Sequence, residues 1–116
     1  MTAPPFDPDP GDMALRTVPG PDCCTVTVTG DVDARSGPVL ADRLLDALDR
    51  SDVPTLELDL RGVTFLDSAG LTALVAVHRA ATRTGRVLRL RCGTTRVVLR
   101  PLEITGLSTF IPIVEE

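Results

Sequence analysis

Inside the stretch 56–84 the hydrophobic pattern changes period, and that change constrains the fold more than any other feature of the chain. Leu56, Leu58 and Leu60 alternate with Glu57 and Asp59, the two-residue period of a half-buried strand. From Leu71 the pattern is helical and almost wholly apolar through Val77, which predicts a central, deeply buried helix over about 69–84. The switch falls in 64–70, Thr-Phe-Leu-Asp-Ser-Ala-Gly. Asp67 and Ser68 stand at the junction, where either side chain can cap the first orphan N–H groups of the helix. Ala69 and Gly70 are small enough to let another chain approach. A phosphate added to an exposed Ser68 hydroxyl would meet backbone donors and a favourable helix dipole.

The remaining elements are built around this junction. A short strand is expected at 15–18, then a turn at Pro19-Gly20-Pro21-Asp22. Over 24–29, Val26 and Val28 alternate with Thr25, Thr27 and Thr29, a second half-buried strand closed by Gly30-Asp31-Val32-Asp33. Ser36, Gly37 and Pro38 form a helix start, and Leu40, Leu44 and Leu48 carry an amphipathic helix to about Arg50. Leu88, Leu90 and Cys92 alternate with Arg89 and Arg91 as a further strand. A third helix, capped by Thr94 or Thr95 and running through Ile104, is expected to kink or split at Pro101, which lacks an N–H and crowds the preceding turn. A last short strand is expected at 110–114, broken by Pro112.

Strands alternating with helices imply crossovers and a mostly parallel sheet. Parallel strands covered on both faces read as continuous apolar runs. These strands alternate instead, so the helices are expected on one face, with the other wet. Glu57 and Asp59 are then expected to be solvent-accessible and to pair across strands with Arg89 and Arg91, each exposed pair contributing about 0.2–1 kcal/mol.

At 116 residues the chain supports one domain with a modest core. Residues 1–13, acidic and proline-rich with little to bury, read as a disordered tail before a domain over 14–116. The net charge is −4 and there is no Trp or Tyr. That argues against nucleic-acid binding, which uses a basic footprint and stacking platforms. No apolar run is long enough to span a membrane, and no signal-peptide pattern opens the chain. Cys23, Cys24 and Cys92 match neither a disulfide framework nor a zinc spacing and read as reduced strand residues. A cytoplasmic location follows as an expectation.

Catalytic signals are thin. His78, the single histidine, lies about ten residues along the helix from Ser68, roughly 15 Å away by helical rise and beyond hydrogen-bond reach. Ser68 is not in a Gly-x-Ser-x-Gly elbow, and no Gly-rich phosphate loop or metal-ligand cluster is present, so neither a cofactor nor a metal is expected. Asp31, Asp33 and Asp67 fall just past the carboxyl ends of strands, the edge where open α/β sheets bind ligands. Ordinary capping and turn chemistry explains them as well as an acidic recognition patch around Ser68 does.

Three segments together resemble the STAS domain of bacterial anti-sigma factor antagonists: Val-Thr-Gly-Asp-Val-Asp at 28–33, Leu-Asp-Leu-Arg-Gly-Val-Thr-Phe-Leu-Asp-Ser-Ala-Gly-Leu at 58–71, and Glu-Ile-Thr-Gly-Leu at 103–107. The resemblance covers about 14–114. It implies a single α/β domain, a short β/α superhelix with a mixed, mostly parallel sheet of four or five strands and helices on one face. It also implies binding to an anti-sigma factor with a kinase fold, releasing the sigma factor. In that family the kinase uses ATP to phosphorylate the Ser after the Asp, and a serine phosphatase reverses this. By position Ser68 resembles the phosphorylated residue, Asp67 its neighbour, and Asp33 the acidic residue of the first loop. Asp31, Asp33, Asp67, Ser68, Ala69 and Gly70 are the expected partner-binding residues. Pro101 departs from the family pattern, and many members carry a further helix after the last strand. A non-switching STAS module, such as the cytoplasmic subunit of an ABC-type lipid transporter, is the alternative within the fold. A small serine hydrolase would need its base from a second chain.

Overall fold

The computed structural model describes residues 12–114. The tail expected over 1–13 therefore lies mostly outside the described residues, although Met13 packs against the core. The elements are β1 (Ala14–Val18), β2 (Cys23–Val32), α1 (Gly37–Arg50), β3 (Thr55–Leu66), α2 (Ser68–Arg83), β4 (Val87–Arg91) and α3 (Arg96–Ile104), followed by a 3₁₀ turn at Leu107–Thr109. The four strands form one sheet in the order β1-β2-β3-β4. β1 runs antiparallel to β2, while β2–β3 and β3–β4 are parallel.

Strand alternation places the core on one face. Val26, Val28, Leu56, Leu58, Leu60, Leu88 and Leu90 point into a single cluster. Leu40, Leu44 and Leu48 of α1, Leu74 and Val77 of α2, and Val98 and Leu102 of α3 join the same cluster. Each fully buried leucine contributes about 1.5–3 kcal/mol relative to exposure, so the three helices are held to that face by transfer energy. The crowding of Leu, Val and Ala there reflects a chain with no Trp and three Phe.

The opposite face differs from expectation in one respect. Glu57 and Asp59 are not solvent-accessible: they are 7% and 8% exposed. The long arginines of the neighbouring positions lie over them. Arg89 Nη2 approaches Glu57 Oε1 at 2.8 Å, and Arg91 Nε donates to Oε2 at 3.0 Å. Arg61 donates to both oxygens of Asp59, Nε at 3.0 Å and Nη2 at 2.8 Å. The guanidinium groups remain partly exposed, so water screens the pairs from outside while the carboxylates are covered. Burial raises the Glu57 pKa, but the hydrogen bonds and charges of Arg91 and Arg89 outweigh it and hold the group below its ordinary value. The Arg61 hydrogen bonds, opposed by burial, hold Asp59 low as well.

A carboxylate held below its ordinary pKa stabilises the fold above that value, and the contribution is lost as pH falls through the folded pKa. The ordinary values are 4.5 for Glu57 and 3.8 for Asp59. The melting temperature is therefore expected to be flat above about pH 5 and to fall below it. Glu57→Gln should flatten that acid limb. Thermal melts of both proteins between neutral pH and pH 3 check this, and parallel acid limbs would count against the Glu57 assignment.

Three boundaries also depart from the sequence pattern. β3 continues past Leu60 to Leu66, because register shifts between Thr27 and Thr29 and between Gly30 and Asp31 carry the pairing through a break in alternation. α3 is continuous through Pro101. The proline removes one donor, but Val98 and Leu102, both fully buried, seat the turns around it in the same core. The expected last strand is reduced to a single parallel bridge, Leu90 to Ile113. Leu90 N–H donates to the Pro112 carbonyl at 2.9 Å, and Val114 N–H to the Leu90 carbonyl at 2.7 Å.

Candidate functional site

The carboxyl ends of β2 and β3 and the starts of α1 and α2 meet at one edge of the sheet. Asp67 N–H donates to the Val32 carbonyl at 3.3 Å, which ties the end of β3 to the end of β2. Asp67, rather than Ser68, is the N-cap of α2. Its Oδ1 accepts from the N–H groups of Ala69 at 2.9 Å and Gly70 at 3.3 Å. Extended geometry at Asp67 (φ −110°, ψ −168°) aims the carboxylate back over the first turn.

Ser68 is the first helical residue. It is exposed, and its carbonyl accepts from the Thr72 hydroxyl at 2.9 Å. Its own hydroxyl makes no hydrogen bond among the described residues, so it is presented to solvent at the positive end of a 16-residue helix. Asp67 already occupies the Ala69 and Gly70 donors of the first turn.

The other two carboxylates are also engaged. Asp33 organises the loop before α1. Its Oδ1 accepts from the N–H groups of Arg35 at 3.0 Å and Ser36 at 3.2 Å. The Ser36 backbone hydrogen bond, opposed by some burial and aided by Arg35, holds the Asp33 carboxyl below its ordinary range. Ser36 in turn donates from Oγ to the Asp31 carbonyl at 2.9 Å. Asp31 Oδ1 accepts from the Thr64 hydroxyl at 2.6 Å, linking β2 to β3. Capping and turn chemistry thus accounts for Asp67 and Asp33, whereas Asp31 lies within β2, not past its end as the sequence pattern suggested, and is held across the sheet by Thr64. The negative charge of all three still gathers at the edge that displays Ser68.

The two small residues after Ser68 have separate roles. Gly70 is buried, and a Cβ there would lie 2.4 Å from Leu66 Cδ1 and 2.9 Å from Val32 Cγ1. Its smallness serves interior packing, so it offers no surface to another chain as the sequence had suggested. Ala69 is half-buried, and its carbonyl would lie 2.9 Å from a Cβ built on Gly37. The two helix starts therefore touch backbone to backbone. Beside that contact lies an apolar groove of about 510 Å³, lined by Ala41, Ala69, Ala73 and Ala76 among others.

Sequence reasoning passed over Phe65 and Val39. Both are 47% exposed at this edge. The signal for Phe65 was its place next to Leu66: one of two adjacent large apolar residues in a strand must face away from the core. His78 lies far along α2 with a buried Nδ1 that has no hydrogen-bond partner among the described residues. Among the described residues, no cluster of His, Cys, Asp and Glu could hold a metal ion, and no helix is long and apolar enough to cross a membrane. Among the described residues Cys23, Cys24 and Cys92 are not joined to one another by a disulfide.

A four-stranded, mostly parallel sheet with helices packed on its apolar face and a capped helix start displaying a serine defines a small α/β domain. Residues 16–115 match the family model described as "Mlab, STAS domain". The chain belongs to the STAS domain family. The anti-sigma-B factor antagonist of Bacillus subtilis (strain 168) is 31% identical over 88 residues, 76% of this chain and 78% of that protein. An anti-sigma factor antagonist from Mycobacterium paratuberculosis superposes with a TM-score of 0.80 at 24% identity, covering 93% of this chain and 90% of that one. SpoIIAA of Bacillus, solved in its phosphorylated form, gives 0.67 at 14% identity over 89% of this chain and 93% of that one. At these identities the two structures speak to the fold.

Proposed function

We propose that this chain is an anti-sigma factor antagonist that binds a kinase-type anti-sigma factor through the Ser68 edge and is switched off by phosphorylation of Ser68. The observation that carries the reading is the Ser68 hydroxyl, exposed and, among the described residues, without a hydrogen bond, directly after the capping Asp67. A kinase needs a hydroxyl it can reach, and a reversible switch needs one whose modification leaves the fold intact. Asp31, Asp33, Asp67 and Ala69 frame the contact. The sequence relationship to an anti-sigma-B factor antagonist supports the role. A serine phosphatase would reset the switch. In this reading the domain catalyses nothing itself and works in the cytoplasm, where its partner has ATP.

The test pairs the purified chain with kinase-type anti-sigma factors from the same genome. Wild type is expected to form a complex with one of them and, with ATP, to gain the mass of one phosphoryl group, whereas Ser68→Ala binds and gains none. The STAS family match is also compatible with one second reading, a STAS subunit of a lipid transporter that does not switch. A wild-type chain that stays unmodified while a known substrate of the same kinase is phosphorylated would favour it.

A further inference from the structure

A single exposed apolar side chain is ordinary on a soluble domain, so exposure alone does not distinguish Phe65. Its surroundings do. The chain has three Phe and no Trp or Tyr, and Phe65 stands 47% exposed near the end of β3, three residues before Ser68. It sits in register with Asp31, whose carboxylate is fixed by Thr64. Asp33 and Asp67 lie at the same edge, and Asp12 joins them through Arg35, which reaches Asp12 at 3.9 Å and Asp33 at 3.8 Å. Asp31 and Arg35 also line a recess of about 260 Å³ floored by Met13 and Val39. The edge thus combines a projecting aromatic, a recess of mixed polar and apolar lining, and four carboxylates, two of them paired with Arg35. Interfaces concentrate their energy in buried aromatic anchors ringed by polar groups that exclude water.

We infer that Phe65 is the apolar anchor of the Ser68 surface, and that the partner presents a hydrophobic pocket for it, rimmed by lysine or arginine side chains that meet the Asp31, Asp33 and Asp67 carboxylates. This rests on the functional reading above and adds the chemistry of the partner's side. The committed occupant is a basic-rimmed protein surface, because the carboxylates at this edge would repel an acidic one. A second copy of this chain would bring the same carboxylates against themselves.

Calorimetric titration of the kinase-type anti-sigma factor with wild type, Phe65→Ala and Phe110→Ala tests this, with melts and sedimentation run alongside. Phe110 is the control, 70% exposed but placed with Val75, His78 and Arg79 far along α2 from Ser68. Phe65→Ala is expected to bind at least tenfold more weakly with an unchanged melt, Phe65→Leu to fall between, and Phe110→Ala to bind as wild type. Raising the salt concentration should weaken the wild-type complex. Wild-type affinity in a folded Phe65→Ala protein would overturn the anchor while leaving the functional reading intact. So would a wild-type dimer that Phe65→Ala dissociates, since it would assign the surface to self-association. Absence of any wild-type binding would overturn both together.

Discussion

Ser68→Asp is expected to bind the kinase-type anti-sigma factor at least tenfold more weakly than wild type, a difference of about 1.4 kcal/mol, with phosphorylated wild type weaker still. A phosphate adds about −1.5 to −2 charges. At an effective dielectric of 20, two unit charges about 6 Å apart repel by roughly 2–3 kcal/mol, and the added volume in a close contact raises the cost. A fall from micromolar to millimolar affinity needs about 4 kcal/mol, which one phosphate at Ser68, crowded beside Asp67 and wedged between docked surfaces, can supply.

Neither change should disturb the fold. Asp67 is the cap, so Ser68 carries no capping role to lose, and surface substitutions of this kind stay within about 0.5 kcal/mol. An acid at the first helical position also interacts favourably with the helix dipole. Ser68→Ala, Ser68→Asp and wild type are thus expected to melt within about 2 °C of one another, and Ser68→Ala to bind constitutively. Affinity by calorimetry and melts on the same samples separate the two effects. Equal affinity of wild type and Ser68→Asp, both folded, would remove this edge from the interface.

The largest effect on stability is expected at Gly70. A side chain there meets Leu66 Cδ1 and Val32 Cγ1 inside ordinary contact distance, and both neighbours are packed in the core. Leu66 can rotate its terminal carbon, but Val32 is β-branched and stiff, and it is fully buried at the end of β2. Overpacking of this kind costs about 1–3 kcal/mol, only slightly offset by replacing a helical glycine. Gly70→Val should therefore melt about 10 °C below wild type. Thr72→Val, on the exposed side of the same helix, adds the same branched residue without the clash and should melt near wild type. A Gly70→Val protein as stable as Thr72→Val would mean that the helix start can shift away from the sheet without cost. If the helix start does shift in Gly70→Val, partner binding should weaken too, because Ser68 and Ala69 ride on the same turn.

Local pattern carried a large part of this molecule. Alternation in 24–29, 56–60 and 88–92 set the strands and the apolar face, and fourfold spacing of Leu40, Leu44 and Leu48 set α1, because side-chain period is a property of a few consecutive residues. The same is true of the strand-to-helix switch that exposes Ser68. What the tertiary structure decided depends on neighbours distant in sequence. Glu57 is buried because β4 brings Arg89 and Arg91 over it. β3 runs past Leu60 because a shifted register with β2 supplies its hydrogen bonds. α3 passes through Pro101 because Val98 and Leu102 reach one core. Position 70 takes glycine because Leu66 and Val32 occupy the space a side chain would need. Asp67 and Ser68 were equivalent as caps in the sequence. The geometry that joins Asp67 to Val32 gave the cap to one and left the hydroxyl of the other in water.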